Sequence, residues 1–223
     1  MPNYKWHYAN YQHPALVAAF DMSTRTPGGL MKNLVQRTGA TYDATINGAL
    51  VLANPLIKAK KTKCMDFDGA TNYLSLANPV SGLTCTIIGW VNIDDTNTMV
   101  YSRAVTGNAY IWFGWPVGLT TSALQYFMTT ALPVRSKINM MTSKTMMFAC
   151  VTNNGSGYIY IDGKNVTEPG SANVIPADAN AYIGQFWNNT YRFNGRLDNM
   201  LFYNVALTPD QINSIYRSAN PRM

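Results

Sequence analysis

The 223-residue chain predicts an all-β fold, a two-sheet antiparallel sandwich with a short C-terminal helix. Three observations predict it. Short runs rich in β-branched and aromatic residues recur along the chain between turn residues. Two of those runs are joined by Asn154-Gly155, a pair that tolerates the positive φ of a tight hairpin turn. A single strong helix signal follows the last run. Sandwiches of about 200 to 250 residues commonly form one domain, so one core is expected.

In chain order, strands are predicted near Leu16–Phe20, Ala49–Leu52, Cys64–Phe67, Tyr73–Leu76, Thr84–Val91, Met99–Arg103, Ala109–Phe113, Ala123–Met128, Met146–Thr152, Tyr158–Asp162, Ala181–Ile183 and Leu197–Tyr203. MMFACVT and YIYID form a hairpin across Asn154-Gly155, and Asp162-Gly163 turns the chain again. The closing segment Phe193–Tyr216 encodes a Gly turn, a strand, an Ala-Leu linker and a capped helix. Thr208 caps, Pro209 fits the first helical position and Gln211 returns a capping-box bond. Leu197, Leu201, Ala206, Leu207, Ile212 and Ile215 supply its apolar anchors.

Charged residues make up 13% of the chain, against about 25% in ordinary domains, and the formal charge is +6. A polar surface rich in Asn and Thr suits glycans or protein partners better than a phosphate backbone, so nucleic acid is not an expected partner. The run KAKKTK at 58–63 reads as a solvated loop without interleaved aromatics for base stacking, although an anionic partner is the competing reading. No run reaches the length of a membrane span and no leader is seen, so a soluble chain is expected. Cys64, Cys85 and Cys150 read as buried strand thiols, with one disulfide as the alternative. Residues 1–15, with Tyr4, Trp6, Tyr8 and Tyr11, form an aromatic extension expected to dock on the sandwich or on a neighbouring subunit. Residues 16–217 form the domain and 218–223 a tail.

Six blocks in order carry a family resemblance: LVAAFD at 16–21, MDFDGATNYLSL at 65–76, TCTIIGWV at 84–91, YIYIDG at 158–163, YIG at 182–184 and the closing segment. Together they resemble the laminin-G-like members of the concanavalin A-like lectin and glucanase superfamily. The resemblance implies a jelly-roll sandwich, with Trp90 as the family's inward tryptophan and Phe148 standing as a core residue where the family often has Trp. It also implies a possible structural calcium on Asp198, Asp21 and Gly69. Hard cations take such oxygen ligands, the alternative being that Asp198 only accepts loop amides.

Catalysis finds little support. Retaining glycosidases need two carboxyl groups about 5 to 5.5 Å apart, and the Glu-x-Asp-x-Glu pattern of the superfamily's laminarinase-like enzymes is missing. Glu168 is the single glutamate. Asp66 and Asp68 share a strand face, but an aspartate before Gly69 reads as a turn residue. His7 and His13 lie in the extension and read as bystanders. Binding is the better expectation. In GQFWNNTYRFNG at 184–195, Trp187 and Tyr191 offer sugar-stacking rings, with Asn188 and Arg192 as polar partners. Trp115 ends a second aromatic set, YIWFGWP, in which Tyr110 and Trp112 share a face. Core or subunit-interface packing is the competing reading for these rings.

The expected role is a non-catalytic binding and assembly module that attaches to a surface or glycan and forms a homo-oligomer. A phage capsid decoration or tail-associated virion protein is the expected setting. A soluble carbohydrate-binding lectin is the alternative, and a glycanase or polysaccharide lyase the least supported reading.

Overall fold

The computed structural model describes residues 13–23, 26, 28–35, 42–49, 51–57, 62–80, 82–95, 98–103, 109–114, 123–128, 134–139, 144–168, 180–186 and 189–220. Its strands are β1 (Leu16–Phe20), β2 (Leu30–Met31), β3 (Ala44–Asn47), β4 (Val51–Ala53), β5 (Cys64–Asp68), β6 (Tyr73–Ala77), β7 (Thr84–Ile93) and β8 (Thr98–Arg103). They continue with β9 (Ala109–Gly114), β10 (Ala123–Met128), β11 (Val134–Asn139), β12 (Thr145–Asn153), β13 (Ser156–Ile161), β14 (Lys164–Asn165), β15 (Asn180–Ile183) and β16 (Asn194–Tyr203). A helix, α1 (Pro209–Ala219), follows. Sheet I runs β14-β13-β12-β7-β16-β5-β4, with β1 also on β16, and sheet II runs β11-β10-β9-β8-β15-β6-β3-β2. Every pairing in both sheets is antiparallel.

Strand alternation sorts side chains between two apolar layers. On β7, Cys85, Ile87, Val91 and Ile93 face the core between the sheets, while Ile88 and Trp90 face a second core on the outside of sheet I. The inter-sheet core also holds Phe20, Phe67, Phe148, Phe193 and Phe202 from sheet I and its flanks, with Leu74, Val100, Ile111 and Ile183 from sheet II. Trp90 is therefore buried, but not between the sheets as expected; it packs in the layer of Leu207, Ile212 and Ile215. The neighbouring inward position belongs to Gly89, where a Cβ would lie 2.7 Å from the Phe148 ring and 2.6 Å from the Met200 sulfur. Phe148 fills that space and is fully buried, consistent with its expected core role.

Strand β16 carries β7 along one edge and divides the other between two partners. β5 takes Asn194–Leu197 and β1 takes Met200–Tyr203. At the handover the register with β7 shifts between Asp198 and Met200, and Asn199 adopts φ 46°. This bulge places the buried carboxylate of Asp198 where sheet I changes partner.

The hairpin turn is as the sequence requires, with φ 46° at Asn154 and 86° at Gly155. Helix α1 also begins as expected. The Thr208 hydroxyl accepts from the Gln211 amide at 3.3 Å, and the Gln211 side chain accepts from the Thr208 amide at 2.8 Å. Its apolar side buries Ile212, Ile215 and Ala219. The three cysteines are buried and not joined in a disulfide, and Cys64 donates to the Asn54 carbonyl.

Four strands depart from the expected set: β2, β3, β11 and β14. The strand expected at Ala49–Leu52 is shifted to Val51–Ala53. These are edge or short strands with little apolar sequence, such as ATIN, KN and VRSKIN, so their place comes from pairing with better-marked neighbours. Beyond β14 the chain crosses to sheet II. The Lys137 amide donates to the Val166 carbonyl and the Glu168 amide to the Arg135 carbonyl, both at 2.7 Å, around a bridge between Ser136 and Thr167. That crossing joins the two sheets along one side. At the other end of the chain, residues 1–12 lie outside the described residues; His13 sits edge-on to Tyr203 at 5.5 Å.

Replacing Gly89 with valine is predicted to destabilise the fold by about 1–3 kcal/mol, because the added methyls press on the Phe148 ring in a closed core. Urea unfolding of the two proteins measures the difference.

Candidate functional site

The two sheets differ in what their outer faces offer. Sheet I is covered on its outside by the second core. Sheet II turns polar and aromatic groups outward, because Leu74 and Leu76 of β6 point into the core and leave Tyr73 and Ser75 on the other face. The same alternation places Tyr182 opposite Ala181 and Ile183, and Thr45 opposite Ala44. Register then aligns Thr45, Ser75, Tyr182 and Ser102 in one row across four strands, with Asn47 beside Tyr73.

An open groove of about 450 Å³ follows this row. Tyr73 and Tyr182 form its aromatic pair, with centroids 6.2 Å apart and planes tilted by 58°. Asp43, Thr45, Ser75 and Asn180 supply its polar lining. Asp43 is held in place: it accepts from the Lys32 ammonium at 2.5 Å and from the Asn33 amide at 3.0 Å. Burial alone would raise its pKa, but these bonds outweigh burial and keep the carboxyl below its ordinary value. The Asn47 amide donates to the Ser75 hydroxyl at 3.1 Å, so the neighbouring polar groups are oriented as well.

Residues 184–186 and 189–193 follow β15 and lead into β16. The Gly184 amide donates to the Val100 carbonyl, and the Tyr191 carbonyl accepts from the Met99 amide, which fixes both ends against β8. Arg192 lays its guanidinium over Tyr73, 5.2 Å from the ring centroid. Tyr191 is 46% exposed and touches Phe186 edge-on at 6.2 Å. Of the expected binding residues, Arg192 is thus brought onto Tyr73 of the groove, while the Tyr191 ring meets Phe186. Trp187, Asn188 and Trp115 lie outside the described residues, as do the side chains of Tyr110 and Trp112.

Among the described residues, Nε2 of Gln125, Nε of Arg135, Oε1 of Gln185 and Nη1 of Arg192 are buried without a hydrogen-bond partner. Gln125 and Arg135 face one another across β10 and β11, outward from Leu124 and Val134.

Of the carboxylates weighed for catalysis, Asp68 is engaged by its own turn. Asp68 takes the amides of Ala70 and Thr71 at 2.8 Å and that of Asn72 at 3.2 Å, and also the Thr71 hydroxyl. Burial alone would raise its pKa; these bonds outweigh it and hold the carboxyl far below the ordinary range. It is the turn residue the sequence indicates. Asp66 faces outward on sheet I opposite Arg196; burial and then the charge of Asp94 raise its pKa, with Arg196 opposing. Arg196 in turn donates to Asn92 at 3.0 Å.

Each of the three expected calcium positions makes hydrogen bonds within the protein. Gly69 donates its amide to the Phe193 carbonyl, five residues along the chain from Asp198, or roughly 17 Å at strand rise. Asp198 is buried, accepting from the Leu56 and Ile57 amides at 3.0 and 3.4 Å. Asp21 accepts from the Ser23 amide and hydroxyl, and from the Thr62 hydroxyl. The two aspartates therefore grip the two ends of the segment that contains the Lys-rich run. Calcium takes six to eight oxygens, and no group of three His, Cys, Asp or Glu that could hold a metal occurs among the described residues.

Comparison with known proteins adds two findings. A family model described as the concanavalin A-like lectin/glucanases superfamily, laminin-G type, matches residues 68–213. No curated protein matches. Among solved structures, domain 4 of AbnA, an extracellular arabinanase from Geobacillus stearothermophilus solved with arabinotriose, superposes with a TM-score of 0.70 at 21% identity, covering 90% of this chain and 98% of that one. Trypanosoma rangeli sialidase with sialic acid gives 0.66 at 14% identity, over 95% of this chain and 34% of the enzyme. The binding domain of botulinum neurotoxin DC in complex with SialylT gives 0.61 at 11% identity, over 93% and 52%. This chain thus spans about a third of the sialidase and half of the toxin chain.

Asp198→Ala should cost about 1–3 kcal/mol in urea unfolding, since it strands two buried loop amides. Asp68 predicts an acid limb. Its native carboxyl binds a proton less readily than the unfolded one, so its contribution is present above the unfolded value of about 3.9 and is lost as pH falls below it. In Asp68→Asn, melting temperature should fall less steeply than in the native chain between about pH 4 and pH 2.

Proposed function

The chain belongs to the concanavalin A-like lectin/glucanase superfamily, and from that premise we propose that it is a non-catalytic glycan-binding module whose site is the outer face of sheet II. The observation that carries this reading is the Tyr73–Tyr182 pair set beside oriented hydroxyl, amide and carboxylate groups in one open groove. Aromatic faces cover the C–H side of a sugar ring, and fixed acceptors and donors take its hydroxyls. Arg192, seated on Tyr73, leaves Tyr182 as the ring for stacking and supplies donors at the groove's end. The sugars in the arabinanase-domain and toxin structures support the choice of ligand class.

The carboxylates support a binding role over a catalytic one. Asp43 is tied to Lys32 in the groove, and Asp68 is consumed by its turn. Virion attachment, the setting expected from the sequence, adds a requirement: the native chain should sediment with a large particle, and a free small species would oppose it. The Trp187 and Asn188 positions lie between β15 and β16 in sequence and are proposed as further contacts.

On a glycan array, Tyr182→Ala should weaken the best ligand about tenfold or more, the scale of one lost aromatic contact. Absence of binding by the native chain at millimolar sugar would sink the proposal. Polysaccharide turnover by the native chain that vanishes in Asp66→Asn would overturn its non-catalytic part.

A further inference from the structure

A second groove, of about 440 Å³, opens where the chain crosses from β14 to β11. Lys137 comes from β11, Ser156 and Tyr158 from β13, and Glu168 from the crossing segment. The crossing is rigid, held by the Lys137 and Glu168 backbone bonds and by Thr167, whose hydroxyl accepts from the Ile159 amide at 2.8 Å and meets Asn165 at 2.7 Å. Within it, the side chains of Lys137, Ser156 and Glu168 make no hydrogen bond or ion pair among the described residues, although an ammonium and a carboxylate line the same space. Tyr158 is 37% exposed beside them.

A hydrogen-bonded frame that holds an acceptor, a donor and a hydroxyl around an exposed ring has the chemistry of a sugar subsite. A carboxylate accepts from vicinal hydroxyls, an ammonium and a hydroxyl donate to ring and hydroxyl oxygens, and the tyrosine covers a C–H face. The geometry points to a second glycan-binding site at this seam, for a neutral oligosaccharide, independent of the Tyr73–Tyr182 groove. Strand β11 is four strand spacings from β15, about 19 Å, so the two sites sit far enough apart for a polysaccharide to engage both. Two such contacts on one polymer raise avidity without any new interaction.

The test is a titration of the isotope-labelled full chain with arabinotriose, xylotriose and maltotriose at millimolar concentration, read by amide chemical shifts. Saturable movement at Tyr158, Thr167 and Glu168 is expected with at least one sugar, retained in Tyr182→Ala. In Glu168→Gln and in Lys137→Ala the apparent affinity at these amides should drop about tenfold or more, with melting temperatures as in the native chain and the Tyr182 region still responding. Silence at the seam with all three sugars would overturn the inference, as would seam shifts that disappear in Tyr182→Ala. Movement at the seam with silence around Tyr73 and Tyr182 would support it while refuting the main-groove reading.

Discussion

The fold depends on the burial of the central strands of sheet I on both faces. Strands β7, β12 and β16 pair along most of their lengths, and nearly every residue in them is buried. One face meets sheet II and the other meets α1 and the loops of the second core. Among the described residues, these three strands leave no free face for a partner. Among the described residues sheet II carries no second apolar layer of that kind, and its outer face along β3, β6 and β15 displays polar and aromatic groups.

Two steric details hold the asymmetry in place. Gly89 is the inward residue between Val91 and Ile87, and the room it leaves is filled by Phe148 and Met200. The odd-even phase this sets puts Trp90 outside, under α1. On β16 the bulge at Asn199 lets the strand pass from β5 to β1, and the Asp198 carboxylate pins the adjoining 56–57 segment there. The polar residue most open to a metal reading thus finds its use in joining the second core to the sheet.

Much of this was legible in the residues. The hairpin at Asn154-Gly155, the capping box of Thr208 and Gln211 and the long strands of sheet I all carry strong local signals, and each stands as expected. The short strands β3, β11 and β14 were not legible, because pairing rather than local propensity creates them. Family likeness places Trp90 inward, whereas the alternation of TCTIIGWVNI around Gly89 places it on the other face. The groove was missed for a similar reason. YLSLA and NAYI each alternate, so Tyr73 and Tyr182 could be assigned to one face once the leucines and isoleucine were assigned to the core. That β6 and β15 are neighbours could not be read locally, since the pairing joins residues about a hundred positions apart. Arg192 was singled out, but its partner Tyr73 belongs to that same long-range arrangement.

The central claim is that the outer face of sheet II receives a sugar. Its most direct measurement is a crystal structure of the chain with the glycan that binds it best. The account predicts a sugar ring against Tyr182, with hydroxyls reaching Asp43, Ser75 or Asn180. A bound glycan confined to sheet I or α1, with the sheet II face empty, would contradict it.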